Sequence, residues 1–180
     1  DRIYRLIEKI DLDGQGEISS SNPFPVGPTI VNEHPQYVEQ VVRFFDMQLE
    51  KHTLAHKEKK KLVEEVFFVD PNVFDVFDFE LVQGQKENVL QDTGTIVLTE
   101  ELAVELFGDA QLAMGKTIRF EDKTDLKVTG LMKEVREQSH MHPRALISML
   151  TLERIYYVPR KNLWNNWQWN PAWTYLLMRE

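Results

Sequence analysis

At 180 residues, with 42% hydrophobic and 28% charged side chains, the chain has the composition of a folded protein that buries a core, as one domain or two small lobes. A net charge of -8 argues against nucleic acid as a partner, and the absence of cysteine excludes disulfides and thiolate metal sites while leaving the redox compartment open. No apolar run approaches the roughly twenty residues that span a bilayer, and the chain starts at Asp1 without a methionine or a signal peptide, which leaves room for an upstream segment.

In chain order, residues 2–10 (RIYRLIEKI) fit a helix through Ile3, Leu6, Ile7 and Ile10, and fit a strand less well. Asp11, Asp13, Gln15, Gly16 and Ile18 then fall at positions one, three, five, six and eight of a calcium-binding loop. Position twelve is Asn22 instead of a bidentate glutamate, position five is neutral, and Pro23 and Pro25 prevent an exiting helix from following at once. The stretch reads instead as a turn between strands, built on Gly14 and Gly16, with no calcium. A short helical pattern follows and breaks at His34-Pro35. Residues 38–54 read as a strand whose alternation slips at Phe44-Phe45. The charged stretch 56–65 leads into 66–69 as the second strand of that hairpin. The basic run of Lys57, Lys59, Lys60 and Lys61, broken by Glu58, reads as a solvated turn or strand end. Asp70 and Pro71 suit the cap and first position of one helical turn that carries Phe74 and Phe77 into the core.

The stretch 95–135 is the clearest. Residues 95–98 are a buried strand, Thr99 caps a helix with Glu100 and Glu101 in its first turn, and Gly108 ends it. Leu98, Leu102 and Leu106, with Ala103 and Phe107, give that helix one apolar face. After Gly115 the period becomes two: Ile118 and Phe120 go out, the polar tract 122–125 turns, and Leu126 and Val128 return. The helix and hairpin should meet in a seam of Leu98, Leu102, Leu106 and Phe107 against Ile118, Phe120 and Val128, since neither element is stable alone in water.

Three groups of residues invite a functional reading. His52 and His56 are four apart, but in a predicted hairpin without an acidic third ligand; His140 and His142, with Glu134 or Glu137, are a weaker zinc possibility than a surface or hydrogen-bonded pair. Trp164, Trp167, Trp169 and Trp173 alternate with Asn162, Asn165, Asn166 and Asn170, which suits either a carbohydrate platform or buried scaffold ending in a strand over 173–178. No nucleophile stands beside a base and no glycine-rich phosphate loop is present, so no catalytic, cofactor-binding or metal residue is assigned.

The succession IVLTEELAVELFG, MGKTIRF, LKVTGLMKEV and Ser139-His140 resembles the extracytoplasmic, periplasmic core domain of MacB/FtsX-type ABC transporter permeases. So do the opening DRIYRL, the stretch HPQYVEQVVRF, the aromatic VDPNVFDVFDFELVQG ending at Gly84, and the closing TYLLM. The resemblance covers nearly the whole chain, although the family pattern continues with a further helix and strand where this sequence stops at Glu180. It implies that 2–10 is a strand, that the tryptophans are scaffold, and that the fold is α+β in two small lobes. A membrane-proximal α/β lobe (1–70 plus 170–180) would be formed by both chain ends, with a mostly β distal lobe (71–169) inserted between them. It also implies a non-catalytic role: transmembrane segments of the same permease pass the closure of a cytoplasmic ABC ATPase to this domain, which moves a substrate outside a bacterial inner membrane. A second permease copy or half, a periplasmic adaptor and an outer-membrane channel are the further partners it implies. A calcium- or zinc-binding module, or a carbohydrate-binding domain using 164–173, is the alternative.

Overall fold

Three apolar runs, VFFV, TIVLT and ALIS, have no polar face, and each forms a strand whose every residue is buried. A strand of that kind needs cover on both sides of its sheet. The computed structural model describes residues 2–12, 15–135, 139–156 and 160–180. Its strands are β1 (Ile3–Arg5), β2 (Glu8–Leu12), β3 (Gln15–Ser19), β4 (Ser21–Asn22), β5 (Val38–Phe45), β6 (Lys51–His56), β7 (Lys59–Glu64), β8 (Val66–Val69), β9 (Leu81–Gln83), β10 (Thr95–Thr99), β11 (Thr117–Phe120), β12 (Thr124–Met132), β13 (Ala145–Ser148) and β14 (Ala172–Met178). Its helices are α1 (Val26–Glu33), α2 (Val73–Val76), α3 (Glu100–Phe107), α4 (Leu152–Tyr156) and α5 (Arg160–Trp164).

Twelve strands join one mixed sheet in the order β1-β14-β5-β8-β13-β10-β12-β11-β6-β7, with β4 added beside β14 and β9 beside β12; β2 and β3 pair separately. The β8–β13 and β10–β12 pairs are parallel. Side chains of the middle strands alternate between two cores. Val66, Phe68, Ile96, Leu98, Ala145 and Ile147 enter one, where α3 packs Leu102, Ala103 and Leu106 and the later chain adds Met149, Leu152 and Leu163. Phe67, Val69, Val97 and Leu146 enter the other, covered by Val73, Phe74 and Val76 of α2 and by Val89 and Leu90. The mixed α+β class expected from the sequence is what the chain adopts.

The clearest stretch folds as read except at its turn, expected over 122–125: Thr124 and Asp125 already belong to β12. Thr99 accepts a hydrogen bond from the Leu102 amide, and Gly108 ends α3 at φ 87°. β11 and β12 form the hairpin, turning through Glu121 and Asp122 at φ 50° and 52°, the left-handed pair that a tight hairpin turn requires. The seam also forms: Leu98, Leu102, Leu106, Ile118, Phe120 and Val128 share one core, with Phe107 half-buried against it.

Elsewhere the chain is divided more finely than its pattern. Residues 2–10 are extended, but β1 pairs with β14 whereas β2 pairs with β3, so the segment serves two sheets. Residues 38–54 are not one strand. β5 ends at Phe45, the chain turns with Met47 and Gln48 both at φ 56°, and β6 starts at Lys51. The slip in alternation at Phe44-Phe45 marks this break. β8 does pair with β5, and the β6–β7 hairpin is inserted between them to reach the far end of the sheet. The lysine run is thus half turn and half strand: Lys57 turns at φ 53°, and Lys59, Lys60 and Lys61 lie in β7. As the terminal strand of the sheet, β7 has an open edge, where charge blocks pairing with another chain. Asp70 caps nothing; α2 starts after Asn72, and no side chain caps it.

Candidate functional site

The strand VEQVVRFF places one base, Arg43, among apolar neighbours, and burial obliges it to find a partner. Its Nε and Nη2 donate to the two carboxylate oxygens of Asp70 at 2.8 and 2.7 Å, its backbone N–H donates to Asp70 Oδ2 at 2.8 Å, and Nη1 donates to the Phe24 carbonyl at 2.9 Å. The guanidinium also lies 5.2 Å from the Trp164 ring centre and 5.9 Å from that of Phe24. This bidentate pair forms part of the wall of a groove of about 420 Å³, with Pro28, Asn32, Met149 and Trp164. Gly27 lets α1 sit this close to the sheet, since a Cβ there would fall 2.5 Å from Val41 Cγ2.

A larger groove, about 760 Å³, opens where β1 faces the segments around α2 and the end of β12. Ile3, Phe77, Phe79 and Val135 give it apolar walls, and among the described residues Asp78, Glu80 and Glu134 stand against one base, Lys133. The Lys133–Glu80 hydrogen bond, at 2.5 Å, holds the lysine above its usual pKa. Phe77 meets Tyr175 edge-on at 5.2 Å. The Tyr175 hydroxyl is engaged on two sides, with His140 Nε2 at 2.8 Å and Met141 Sδ at 3.2 Å. Burial of Tyr175 raises the phenol above its ordinary pKa, against a smaller opposing effect of Arg5.

The residues singled out in the sequence are placed as follows. Asp11 pairs with Gly16 across the β2–β3 ladder, Leu12 with Gln15 and Lys9 with Ile18, while Asn22 is buried in β4 opposite Ala172. Asp13 and Glu137 lie outside the described residues. His52 is buried, its Nδ1 3.2 Å from Glu121 Oε1 and its Nε2 2.9 Å from the Asp46 carbonyl. His56 bonds the Thr117 carbonyl and lies over Phe107 at 4.3 Å. His142 is half-buried. Among the described residues no three His, Cys, Asp or Glu side chains are grouped to hold a metal.

The tryptophans do not form one surface. Trp164 and Trp169 meet Phe24 edge-on at 5.2 and 5.6 Å, Trp173 packs near Phe67 from β14, and Trp167 is exposed. Asn170 turns to Glu8. Sequence reasoning missed Arg43–Asp70, although a lone arginine inside an apolar strand was the available signal. It also missed the Tyr175–His140–Met141 cluster, which joins parts of the chain that no local spacing connects.

The fold has solved counterparts. Over 99% of this chain and 76% of the other, it superposes on a domain assigned to a permease protein from Porphyromonas gingivalis, with TM-score 0.77 and 22% identity. It also matches the periplasmic region of MacB from Actinobacillus actinomycetemcomitans over 86% of this chain and 63% of that one, with TM-score 0.62 and 16% identity. No curated protein matches the sequence. Among the described residues no helix is long and apolar enough to cross a membrane. The model of the MacB-like periplasmic core domain matches residues 3–178, and the chain belongs to that family.

Proposed function

We propose that this domain is the periplasmic portion of an ABC transporter permease in a bacterial inner membrane, and that it couples ATP hydrolysis on the cytoplasmic side to movement of a substrate outside the membrane. One observation carries the reading beyond family membership. β1 and β14 are antiparallel neighbours with Ile3 opposite Leu177, and Arg2 Nη1 lies 3.8 Å from Glu180 Oε1. Paired strands run only about 5 Å apart, so a domain of this shape can be inserted between two consecutive transmembrane segments without separating them. A shift of either segment then acts directly on β14, which pairs with β1, β4 and β5. In this reading the lobe of 1–70 plus 170–180 lies nearest the membrane and 71–169 lies beyond it, except that the β6–β7 hairpin (51–64) extends from the first lobe to the far end of the sheet. The partners are the permease's own transmembrane segments, a cytoplasmic ABC ATPase and a second permease copy or half. An adaptor and an outer-membrane channel complete the export path.

The adjacent ends supply the test. In the reconstituted transporter, residues 6–174 are replaced by a short Gly-Ser linker, which keeps the flanking segments at their natural spacing. Basal ATP hydrolysis is expected to persist and export to be lost. Export at the full rate without the domain would overturn the proposal.

A further inference from the structure

A guanidinium carries five N–H donors, and the fold uses three of those on Arg43: Nε and Nη2 bond Asp70, and Nη1 bonds the Phe24 carbonyl. One N–H on Nη1 and one on Nη2 have no acceptor among the described residues. Asp70 is left open in the complementary way. Its Oδ2 accepts from the Arg43 backbone N–H and Nε, whereas Oδ1 accepts from Nη2 alone and keeps a lone pair. A spare donor and a spare acceptor thus sit on atoms 2.7 Å apart, in side chains that are each 12% exposed and both line the 420 Å³ groove.

The rest of the groove supplies neutral hydrogen-bonding groups and an aromatic wall. Asn32 of α1 and Asn165, just after α5, are exposed and line it, and neither amide has a partner among the described residues. Among the described lining residues Arg43 and Asp70 are the only charges and they cancel, so the groove does not select an ion. Of the tryptophans, Trp164 is the one that lines it, half-buried and fixed by its indole N–H on Glu153 at 2.8 Å. The 420 Å³ volume falls within the roughly 300–1,000 Å³ of small-molecule sites. A hydroxyl donates and accepts through one atom, so a single one can meet both the spare Arg43 N–H and Asp70 Oδ1. A peptide group carries its N–H and C=O on opposite sides and cannot. A ring that bears hydroxyls at its rim and apolar C–H groups on its face suits both the Arg43–Asp70 pair and the Trp164 ring. We propose that this groove binds a neutral sugar residue, with hydroxyls on Arg43–Asp70 and on the Asn32 and Asn165 amides and its C–H face against Trp164.

The probes are the methyl glycosides of glucose, galactose, mannose and N-acetylglucosamine, titrated into the isotope-labelled chain and followed by NMR. At least one should shift the Trp164 indole N–H and the Asn32 and Asn165 side-chain amides saturably, with a Kd on the order of 1 mM, while the indole of exposed Trp167 stays in place. The double variant Asn32→Ala/Asn165→Ala, altered only at exposed positions, should bind that glycoside about tenfold more weakly and melt as wild type does. The fully O-methylated glycoside keeps the C–H face but donates no hydrogen bond, and should not bind. The chain is titrated without a transporter, so a negative result leaves the coupling role standing. No shift from any glycoside, equal shifts at Trp167, wild-type affinity in the double variant, equal binding of the O-methylated sugar, or tighter binding of an acetyl-Ala-Ser-amide peptide in the same groove would overturn the site.

Discussion

The middle of the sheet and its outer hairpin are built from opposite material. In β8, β10 and β13 every residue is buried, and alternate side chains enter two different cores. In β7, with sequence KKKLVE, only Val63 is buried, yet its ladder with β6 runs unbroken from His56–Lys59 to Lys51–Glu64. Apolar character therefore records how deep a strand lies in the sheet, whereas strand identity comes from the neighbour that pairs with it. The largest test of this contrast is Phe68→Ala against Leu62→Ala. Phe68 is wholly buried and touches the rings of Phe45 and Phe120, so its loss should cost about 3–5 kcal/mol. Leu62 is 71% exposed on the rim, and its truncation should stay within about 0.5 kcal/mol by urea denaturation. Equal costs would mean that the rim is covered in solution.

Ion pairs divide along the same line. Asp70→Ala leaves Arg43 buried with one carbonyl partner, and a loss of about 3 kcal/mol is expected, insensitive to added salt. The rim pair Lys51–Glu64 joins β6 to β7 at 2.7 Å with both side chains in solvent, and Glu64→Gln should leave the urea midpoint unchanged. A salt-sensitive Asp70 variant would show that the inner pair is solvated after all.

Backbone positions sharpen the contrast at a smaller scale. Gly84 has φ 101°, and an added Cβ would lie 2.6 Å from Val89 Cγ1 and 2.8 Å from the Thr129 carbonyl oxygen, so Gly84→Ala should cost above about 2 kcal/mol. Gly115 has φ 73° with open space around it, and Gly115→Ala should cost only the strain of the left-handed conformation, about 1 kcal/mol. Thermal melts of both variants check the difference.

Sequence legibility follows the same gradient. Residues 95–132 could be read because strand, cap, helix, glycine stop and hairpin each carry a local signal, from Thr99 to Gly108 to the alternation around Ile118 and Phe120. The β6–β7 hairpin was opaque because its pairing depends on β11, more than fifty residues away, and because an edge strand is selected for charge rather than for alternation. The apolar stripe also overstated Phe107: Leu98, Leu102 and Leu106 of the seam are wholly buried, while the Phe107 ring is half-buried over His56. The grooves were least legible of all. Arg43 and Asp70, or His140 and Tyr175, meet only through the order of the strands, which no periodicity encodes.

The smallest expected effect lies where rim and middle meet. Glu105 on α3 receives Lys61 Nζ from β7 at 3.0 Å and Arg144 Nη2, just before β13, at 2.9 Å. Burial alone would raise its carboxyl, but hydrogen bonds and charge from Lys61 and Arg144 outweigh that and hold the group below its usual pKa of 4.5. A carboxyl lowered by folding adds stability that is complete above the unfolded value and disappears as pH falls through the folded one. Because the side chain is 26% exposed, solvent screening limits the contribution to below about 1 kcal/mol. Glu105→Gln should therefore be slightly less stable than wild type at pH 7, and the two should converge as the pH falls below the usual carboxyl value of 4.5. Urea midpoints across that range, at low salt and at 1 M, make the measurement. Equal stability of the two proteins at pH 7 would mean that charge contributes nothing to the join, which would then rest on the methylenes that glutamine retains.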